Sequence, residues 1–265
     1  MRTIGRGTLP GRPSRRLSPA PTQMTKPPLG QAEGKKEHVE AMFDAIAPRY
    51  DLLNRVMTGG IDVWWRKRAV AVLEDALSSP PDRLLDIATG TADLAIEALS
   101  LNPQEVVGVD ISDGMLALGR DKLSAKGLHS RVRLVQGDAA DLPVEDASAD
   151  GAFVAFGVRN FEDLRAGLEG IRRALKPGAP LVILETSQPT RAPFTWGYRL
   201  YTGVVMPRIG RMLSGNAEAY EYLPESARQF PSGEAFLTEL RAAGYSDARA
   251  FPLTFGVVSL YRGIA

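Results

Sequence analysis

The 265-residue chain reads as an α/β fold: a doubly wound, mostly parallel seven-stranded sheet with a C-terminal antiparallel hairpin. Three observations predict it. Strand-like and helical segments alternate up to residue 185 at spacings that suit right-handed βαβ crossovers. The apolar runs L-L-D-I-A, V-V-G-V and L-V-I-L are continuous rather than alternating, as strands covered on both faces require. The last two strand-like stretches are joined by so few residues that they must run antiparallel.

Taken in order, helical periodicity covers His38–Ile46 and is stopped by Ala47-Pro48, then returns over Asp62–Leu77 with Asp62 as N-cap. Strand Arg83–Ala88 leads into a helix that starts near Ala92. Strand Glu105–Val109, helix Asp113–Lys126 and strand Val132–Val135 follow. Strand Asp150–Phe156 precedes helix Phe161–Leu175, which Lys176-Pro177-Gly178 closes, and then comes strand Leu181–Glu185. Residues 187–232 break the rhythm with aromatics, prolines and glycines, and read as a substrate or lid insertion. Helix Gly233–Ala243 and strands Ser246–Leu253 and Phe255–Tyr261 complete the folded domain, residues 37–265.

Composition narrows the function classes. With 44% apolar and 24% charged residues the chain is an ordinary globular protein, and no run of about 18 apolar residues exists to span a membrane. There is no cysteine, which excludes disulfides, thiolate metal sites and cysteine nucleophiles. Only His38 and His129 are available to a histidine metal centre, so no metal is expected, and their polar surroundings give neither a catalytic role. Residues 1–36 carry eight Lys/Arg against the single acid Glu33 and are rich in Pro and Gly, the composition of a disordered basic tail. The remainder holds 24 basic and 30 acidic residues, so nucleic acid is not expected as a partner. The tail also has the Arg/Ser content of a transit peptide, although Pro10, Pro13, Pro19 and Pro21 break the helix such peptides form; a true start at Met24 is a further reading.

The chemistry gathers at strand ends. In L-L-D-I-A-T-G-T-A-D, a strand passes through a tight turn into a helix, and Gly90 lets the backbone bend and a ligand approach. Asp110 lies 20 residues past Gly90 at the end of the second strand, where its carboxylate can accept both hydroxyls of a ribose. These two features fit a dinucleotide equally well. Three others turn the reading towards S-adenosylmethionine: the turn is G-T-A rather than G-x-G-x-x-G, Asp86 inside the first strand can orient a cationic amino-acid moiety, and Asp138 in Q-G-D-A can accept the amino group of adenine. Acids after three successive strands suit a sulfonium nucleoside and would repel a pyrophosphate. Taken singly, Asp110 or Asp138 also reads as a helix cap or turn residue.

Methyl transfer from sulfonium is an in-line displacement that asks mainly for orientation. A carbon nucleophile also needs an adjacent ring hydroxyl to ionise, and hence a base or a cation with donors to hold the oxyanion. The fourth strand ends in A-F-G-V-R-N, which brings Arg159 and Asn160 to the same rim. Alternatively Arg159 is a surface residue and Asn160 caps the Phe161 helix.

Tyr50–Trp65, Y-D-L-L-N-R-V-M-T-G-G-I-D-V-W-W, closely resembles the N-terminal signature of the ubiquinone/menaquinone biosynthesis C-methyltransferases, and Arg173–Ser187, R-A-L-K-P-G-A-P-L-V-I-L-E-T-S, resembles their second. L-D-I-A-T-G-T-A-D, V-D-I-S-D-G-M-L, G-D-A-A-D-L-P, F-G-V-R-N, M-P-R-I-G, Y-x-Y-L-x-E-S and F-G-V-V-S-L-Y-R-G match as well, from about residue 38 to the end. The sequence departs at Asp62, Ala92, Ala155 and Ala179, where a histidine, a glycine, a serine and a glycine are usual in that family. The resemblance implies a Rossmann-like class I fold, S-adenosylmethionine as methyl donor, and Thr91, Asp110, Asp138 and Ala139 at its binding site. It implies conversion of demethylmenaquinol to menaquinol, in some members also of the equivalent ubiquinone precursor, 2-methoxy-6-polyprenyl-benzoquinol. Tyr50, and Trp64 or Trp65, are then placed to close over the ring, the Tyr50 phenol bonding its hydroxyl.

A polyprenylated hydroquinone gives the insertion a role. Phe194, Trp196, Tyr198, Tyr201, Val204, Val205 and Met206 can line a prenyl channel with Arg199 and Arg208 at lipid headgroups, or they can form a flap over their own core. Peripheral membrane association in the cytoplasm is expected, or in the mitochondrial matrix if the tail is a transit peptide; a homodimer is compatible with the sequence. Two alternatives stand beside this reading: a methyltransferase for a small soluble phenol or amine, and a nucleotide-binding module without turnover.

Overall fold

Continuous apolar strands need cover on both faces, and the computed structural model, which describes residues 34–189, 192–205, 208, 222 and 225–265, supplies it. Strands β1 (Arg83–Ile87), β2 (Glu105–Asp110), β3 (Val132–Gln136), β4 (Gly151–Ala155) and β5 (Pro180–Thr186) run parallel. Strands β6 (Ser246–Leu253) and β7 (Val258–Ile264) form the antiparallel hairpin, and β7 inserts beside β5 to give the order β3-β2-β1-β4-β5-β7-β6.

The pleat divides the strand residues between two cores. Leu84, Val106, Phe153, Val182 and Leu184 face α3 (Asp62–Glu74), α4 (Asp93–Ala98) and Leu123 of α5 (Asp113–Ala125). Leu85, Ile87, Val107, Val109, Val154 and Ile183 face α6 (Leu164–Ala174). A later helix that packs on this same face, Glu234–Ala242, contributes Phe236 and Leu240. Fully burying one such side chain contributes about 1.5–3 kcal/mol, so the two layers dominate the stability. A third cluster joins Val39, Met42 and Ile46 of α1 (Lys35–Ile46) to Leu53 of α2 (Tyr50–Thr58), Met115 and Tyr222. It lies over the C-terminal ends of the strands.

Several boundaries differ from the sequence reading, each for a local reason. Helix α1 begins at Lys35, inside the stretch that composition assigns to the tail, because Lys35 and Lys36 find partners in the folded body. Pro48 sits in a short 3₁₀ turn, Ala47–Arg49, and the chain turns back into helix as α2, which Gly59 ends at φ +60. Asp62 is the first residue of α3 rather than its N-cap: its carboxylate accepts from Thr58 Oγ1 (2.9 Å) and Arg66 (2.9 Å). Helix α6 starts three residues later than expected, at Leu164, since Asp163 Oδ1 accepts from Ala166 N (3.0 Å) and caps it; Asn160 is not its cap. The hairpin turn is longer than one or two residues because Thr254 and Phe255 adopt positive φ (44° and 58°), which no strand continues, so β7 starts at Val258.

Within the insertion, α7 (Phe194–Leu200) continues into a π turn, Tyr201–Val205. The Tyr201 hydroxyl donates to the Met57 carbonyl, and Phe194 stacks on Phe255 at 4.0 Å, so this segment joins α2 to the hairpin turn. Numbering the helices onward, Glu234–Ala242 is α8. Residues 1–33, Met206 and the side chains of Arg199 and Val205 lie outside the described residues.

Candidate active site

The strand order reverses between β1 and β4, and a cavity opens there above the C-terminal ends of the strands. Ile87, Ala88, Val109 and Ala155 floor it, and Val39 and Phe43 of α1 with Tyr50 of α2 roof it. Of the residues singled out from sequence, Tyr50, Gly90, Asp110, Asp138, Ala139 and Asn160 all line this cavity. Asp86, Thr91 and Arg159 do not; they stand behind its wall.

On the donor side, Asp110 is the organising group. Its Oδ2 accepts from Gly90 N (2.8 Å) and its Oδ1 from Ser112 N (2.9 Å), so one carboxylate ties the turn after β1 to the start of α5. Gly90 holds φ +55, and a Cβ there would stand 3.9 Å from the Tyr50 ring. Burial pushes the Asp110 carboxyl up, against the backbone N–H groups that favour the anion. Each oxygen keeps lone-pair capacity beyond its one bond, which suits it to two ribose hydroxyls. Asp138 receives Lys36 Nζ (2.7 Å) and Ala140 N (3.0 Å); burial opposes its charge, but the ammonium prevails and holds the carboxyl below the usual range. Ala139 is buried beside it, pinned because α6 packs so closely that a Cβ on Gly170 would lie 2.2 Å from its carbonyl oxygen.

Asp86 is fully buried on the opposite side of the pleat. Its Oδ2 accepts from Thr89 Oγ1 (2.6 Å), Oδ1 has no partner among the described residues, and burial pushes the carboxyl up to about 7. Thr91 is buried too. Its hydroxyl donates to Asp51 (2.6 Å) and accepts from Lys122 (2.9 Å), and Lys122 also reaches Asp51 and Asp93 at 2.7 Å. Arg66 continues the chain from Asp93 (3.2 Å) to Asp62 (2.9 Å). This network fastens α2 and α3 over the turn. Ala92 takes the left-handed conformation (φ 67) at the N-terminus of α4, a backbone geometry that glycine adopts at least cost.

On the acceptor side, the 3₁₀ turn Val158–Asn160 presents Asn160 to the cavity and sets the Arg159 side chain just behind its wall. Arg159 pairs with Glu185 at 2.5 Å, the arginine side chain 8% exposed and the glutamate 0%. Lys35 donates to the carbonyls of Arg159 (3.1 Å) and Phe161 (2.6 Å) and so fixes the turn from above. Asn160 Oδ1 accepts from the Tyr222 hydroxyl (3.3 Å). Burial raises the Tyr50 phenol, which keeps it a neutral donor. Trp64 is exposed at 46%, and Trp65 is packed against Phe156 with its indole N–H on Thr254 (2.8 Å), so neither lines the cavity. Lys35, Lys36, Glu185 and Tyr222 were not singled out by role from the sequence. Glu185 had a legible signal, an acid closing the apolar run L-V-I-L-E, whereas the lysines sit in a stretch whose composition reads as tail.

A seven-stranded sheet of this order, with Asp110 and Asp138 after its second and third strands lining a switch-point cavity, defines a class I S-adenosylmethionine-dependent methyltransferase. A solved S-adenosylmethionine-dependent methyltransferase from Thermotoga maritima shares the fold at TM-score 0.58 and 18% identity, covering 86% of this chain and 99% of its own. The model of the ubiE/COQ5 methyltransferase family matches residues 31–265, and the chain belongs to that family. It is 46% identical to the demethylmenaquinone methyltransferase of Deinococcus radiodurans, over 91% of this chain and 98% of the relative. It is 40% identical to the ubiquinone/menaquinone biosynthesis C-methyltransferase UbiE of Geotalea daltonii, over 86% and 97%.

Two outcomes are expected of this site. Asp110→Ala raises the cofactor dissociation constant at least about tenfold by isothermal titration; unchanged affinity places the ribose elsewhere. Because burial raises Asp86 in the folded state, its stability contribution is complete below the unfolded carboxyl value near 4 and is lost as pH climbs through 7. Melting curves of Asp86→Asn therefore gain on the parent between pH 4 and pH 8, by up to about 4 kcal/mol. A difference that does not change with pH removes Asp86 as a buried titrating group.

Proposed function

We propose that the chain methylates a ring carbon of a polyprenylated hydroquinone, converting demethylmenaquinol to menaquinol, with the demethylated benzoquinol precursor as a second acceptor. One observation carries the reading: a single cavity joins Asp110 and Asp138, the acids assigned here to ribose and adenine, to the polar rim of Asn160 and Tyr50, beneath α2, which exposes Leu52 and Val56. The names of its relatives point the same way. S-adenosylmethionine, when bound, supplies an electrophilic methyl. Gly90 and Asp110 orient the nucleoside, Ala139 and Asp138 hold its base edge, and the Asn160 amide and neutral Tyr50 phenol orient the acceptor ring.

The acceptor's lipid character is supported by the surface. All nine exposed large apolar side chains among the described residues fall in three stretches: Leu52, Val56, Ile61 and Trp64; Phe194, Trp196, Leu200 and Val204; and Phe255. The Phe194–Phe255 stack and the Tyr201–Met57 bond join the three; exposed Arg55, Lys67 and Arg68 belong to the same helices, and exposed Arg208 donates to the Val204 carbonyl (3.0 Å). No helix among the described residues is long and apolar enough to cross a membrane. This face is a peripheral docking surface for a bilayer with anionic headgroups, from which a quinol reaches the cavity. A small soluble phenol or amine gives such a surface no purpose.

Labelled methyl donor offered with demethylmenaquinol and with the demethylated benzoquinol separately is expected to label the ring of the former at least. Label passing only to small soluble phenols or amines overturns the reading. Trp196→Ser combined with Phe255→Ser, at sites 72% and 70% exposed, is expected to cut co-sedimentation with anionic vesicles at least about tenfold. Undiminished sedimentation locates the membrane face elsewhere.

A further inference from the structure

Ring methylation at carbon needs a proton acceptor, and the polar groups on the cavity wall do not supply one. Tyr50 is held as a neutral phenol, Asn160 has no basic atom, and a guanidinium keeps its proton throughout the working pH range. Asp110 is committed to the turn after β1, Asp138 to Lys36, and Glu162 is solvent-exposed at the cavity edge beside Lys35.

Glu185 is placed differently. It follows Leu184, whose carbonyl accepts Phe156 N at 2.7 Å, so it stands one strand across from the wall residues Ala155 and Phe156. The pleat sends it to the same side of the sheet as Ile183, and hence as the floor residues Ile87 and Val109. Its Oε1 is satisfied three times, by Arg159, by Thr186 N (2.7 Å) and by Thr186 Oγ1 (3.0 Å). Its Oε2 has no partner among the described residues, and neither does the Arg159 Nε beside it. A fully buried acceptor and donor left open together are costly unless something fills them. A hydroxyl is the group that donates to a carboxylate oxygen while accepting from a guanidinium N–H.

We propose that Glu185 is the catalytic proton acceptor for the acceptor's ring hydroxyl, with Arg159 stabilising the ring oxyanion. This rests on the hydroquinone reading given above. The hydroxyl proton passes to Glu185, and the ring's electron pair forms the new carbon–carbon bond as the carbon–sulfur pair returns to sulfur. The ring carbon then releases its own hydrogen to water as a proton, and Glu185 returns its proton to the ring oxygen, so each turnover releases one proton. The titratable and charged groups that sense the pair are Tyr50 of α2, Tyr198 of α7, Tyr222 and Tyr261 of β7, together with Arg228 near Tyr198.

Glu185→Gln keeps an acceptor for Arg159 but cannot take a proton. With demethylmenaquinol its kcat is expected to fall at least about a hundredfold, with cofactor affinity within about twofold of the parent by titration. An acceptor whose ring hydroxyl is already ionised at the assay pH, through an electron-withdrawing substituent, is expected to restore most of that loss. Glu185→Asp, which keeps the carboxylate, is expected to retain more activity than Glu185→Gln, and this comparison stands even if the glutamine variant is less stable. Parental kcat in Glu185→Gln, or an equal deficit with ionised and un-ionised acceptors, assigns Glu185 a purely structural role and overturns the proposal. If the parent itself labels no quinol, the hydroquinone reading fails instead, and the two failures are distinguishable.

Discussion

One carboxylate sets the geometry on which the cavity depends. Asp110 ends β2 and binds the backbone N–H groups of Gly90 and Ser112, so the turn after β1 and the start of α5 are held at a fixed separation. Half-buried and without a basic side-chain partner, it is stabilised as an anion by backbone dipoles, and its carboxyl is raised by the desolvation they do not offset. Such a group gains from a ligand that adds hydroxyl donors. The same contacts that shape the turn leave the carboxylate lone pairs free for the ribose proposed to bind there.

The roof is held by hydrogen bonds and ion pairs as well as by apolar packing. Lys35 holds the turn that carries Arg159 and Asn160, Lys36 holds Asp138, and Asp44 accepts from Ser112 Oγ (2.5 Å) and Gly114 N (3.1 Å) at the start of α5. Below α2, the Asp51–Lys122–Asp93–Arg66–Asp62 chain does the same for the other flank. Partly exposed pairs contribute little stability each, and they exchange readily. That suits a cover which must admit a nucleoside: Asp138 can pass from Lys36 to an amino group without breaking the core. The Arg159–Glu185 pair is of another kind, dry and rigid, where losing one partner is expensive.

The sheet was legible because its strands announce themselves twice, by continuous apolar runs and by an acid or glycine where each meets the crevice. That logic placed Gly90, Asp110, Asp138 and Asn160, and the family resemblance placed Ala139 and Tyr50; all six line one cavity. It did not distinguish residues that touch the cavity from those that brace it. Asp86 and Thr91 look equivalent to Asp110 in one dimension, yet strand alternation turns Asp86 to the α3–α4 face and the turn commits Thr91 to Asp51. Arg159 read as a free cation because its partner lies 26 residues away on β5. The roof helix was seen, but not its first turn, since Lys35 and Lys36 are explained only by acceptors more than a hundred residues distant.

The central claim is tested most directly by a crystal structure of the protein with S-adenosylhomocysteine. The account predicts both ribose hydroxyls on the Asp110 carboxylate, adenine beside Asp138 and Ala139, and the sulfur turned towards Asn160. A nucleoside bound outside this cavity, or bound within it with Asp110 making only its backbone bonds, would contradict it.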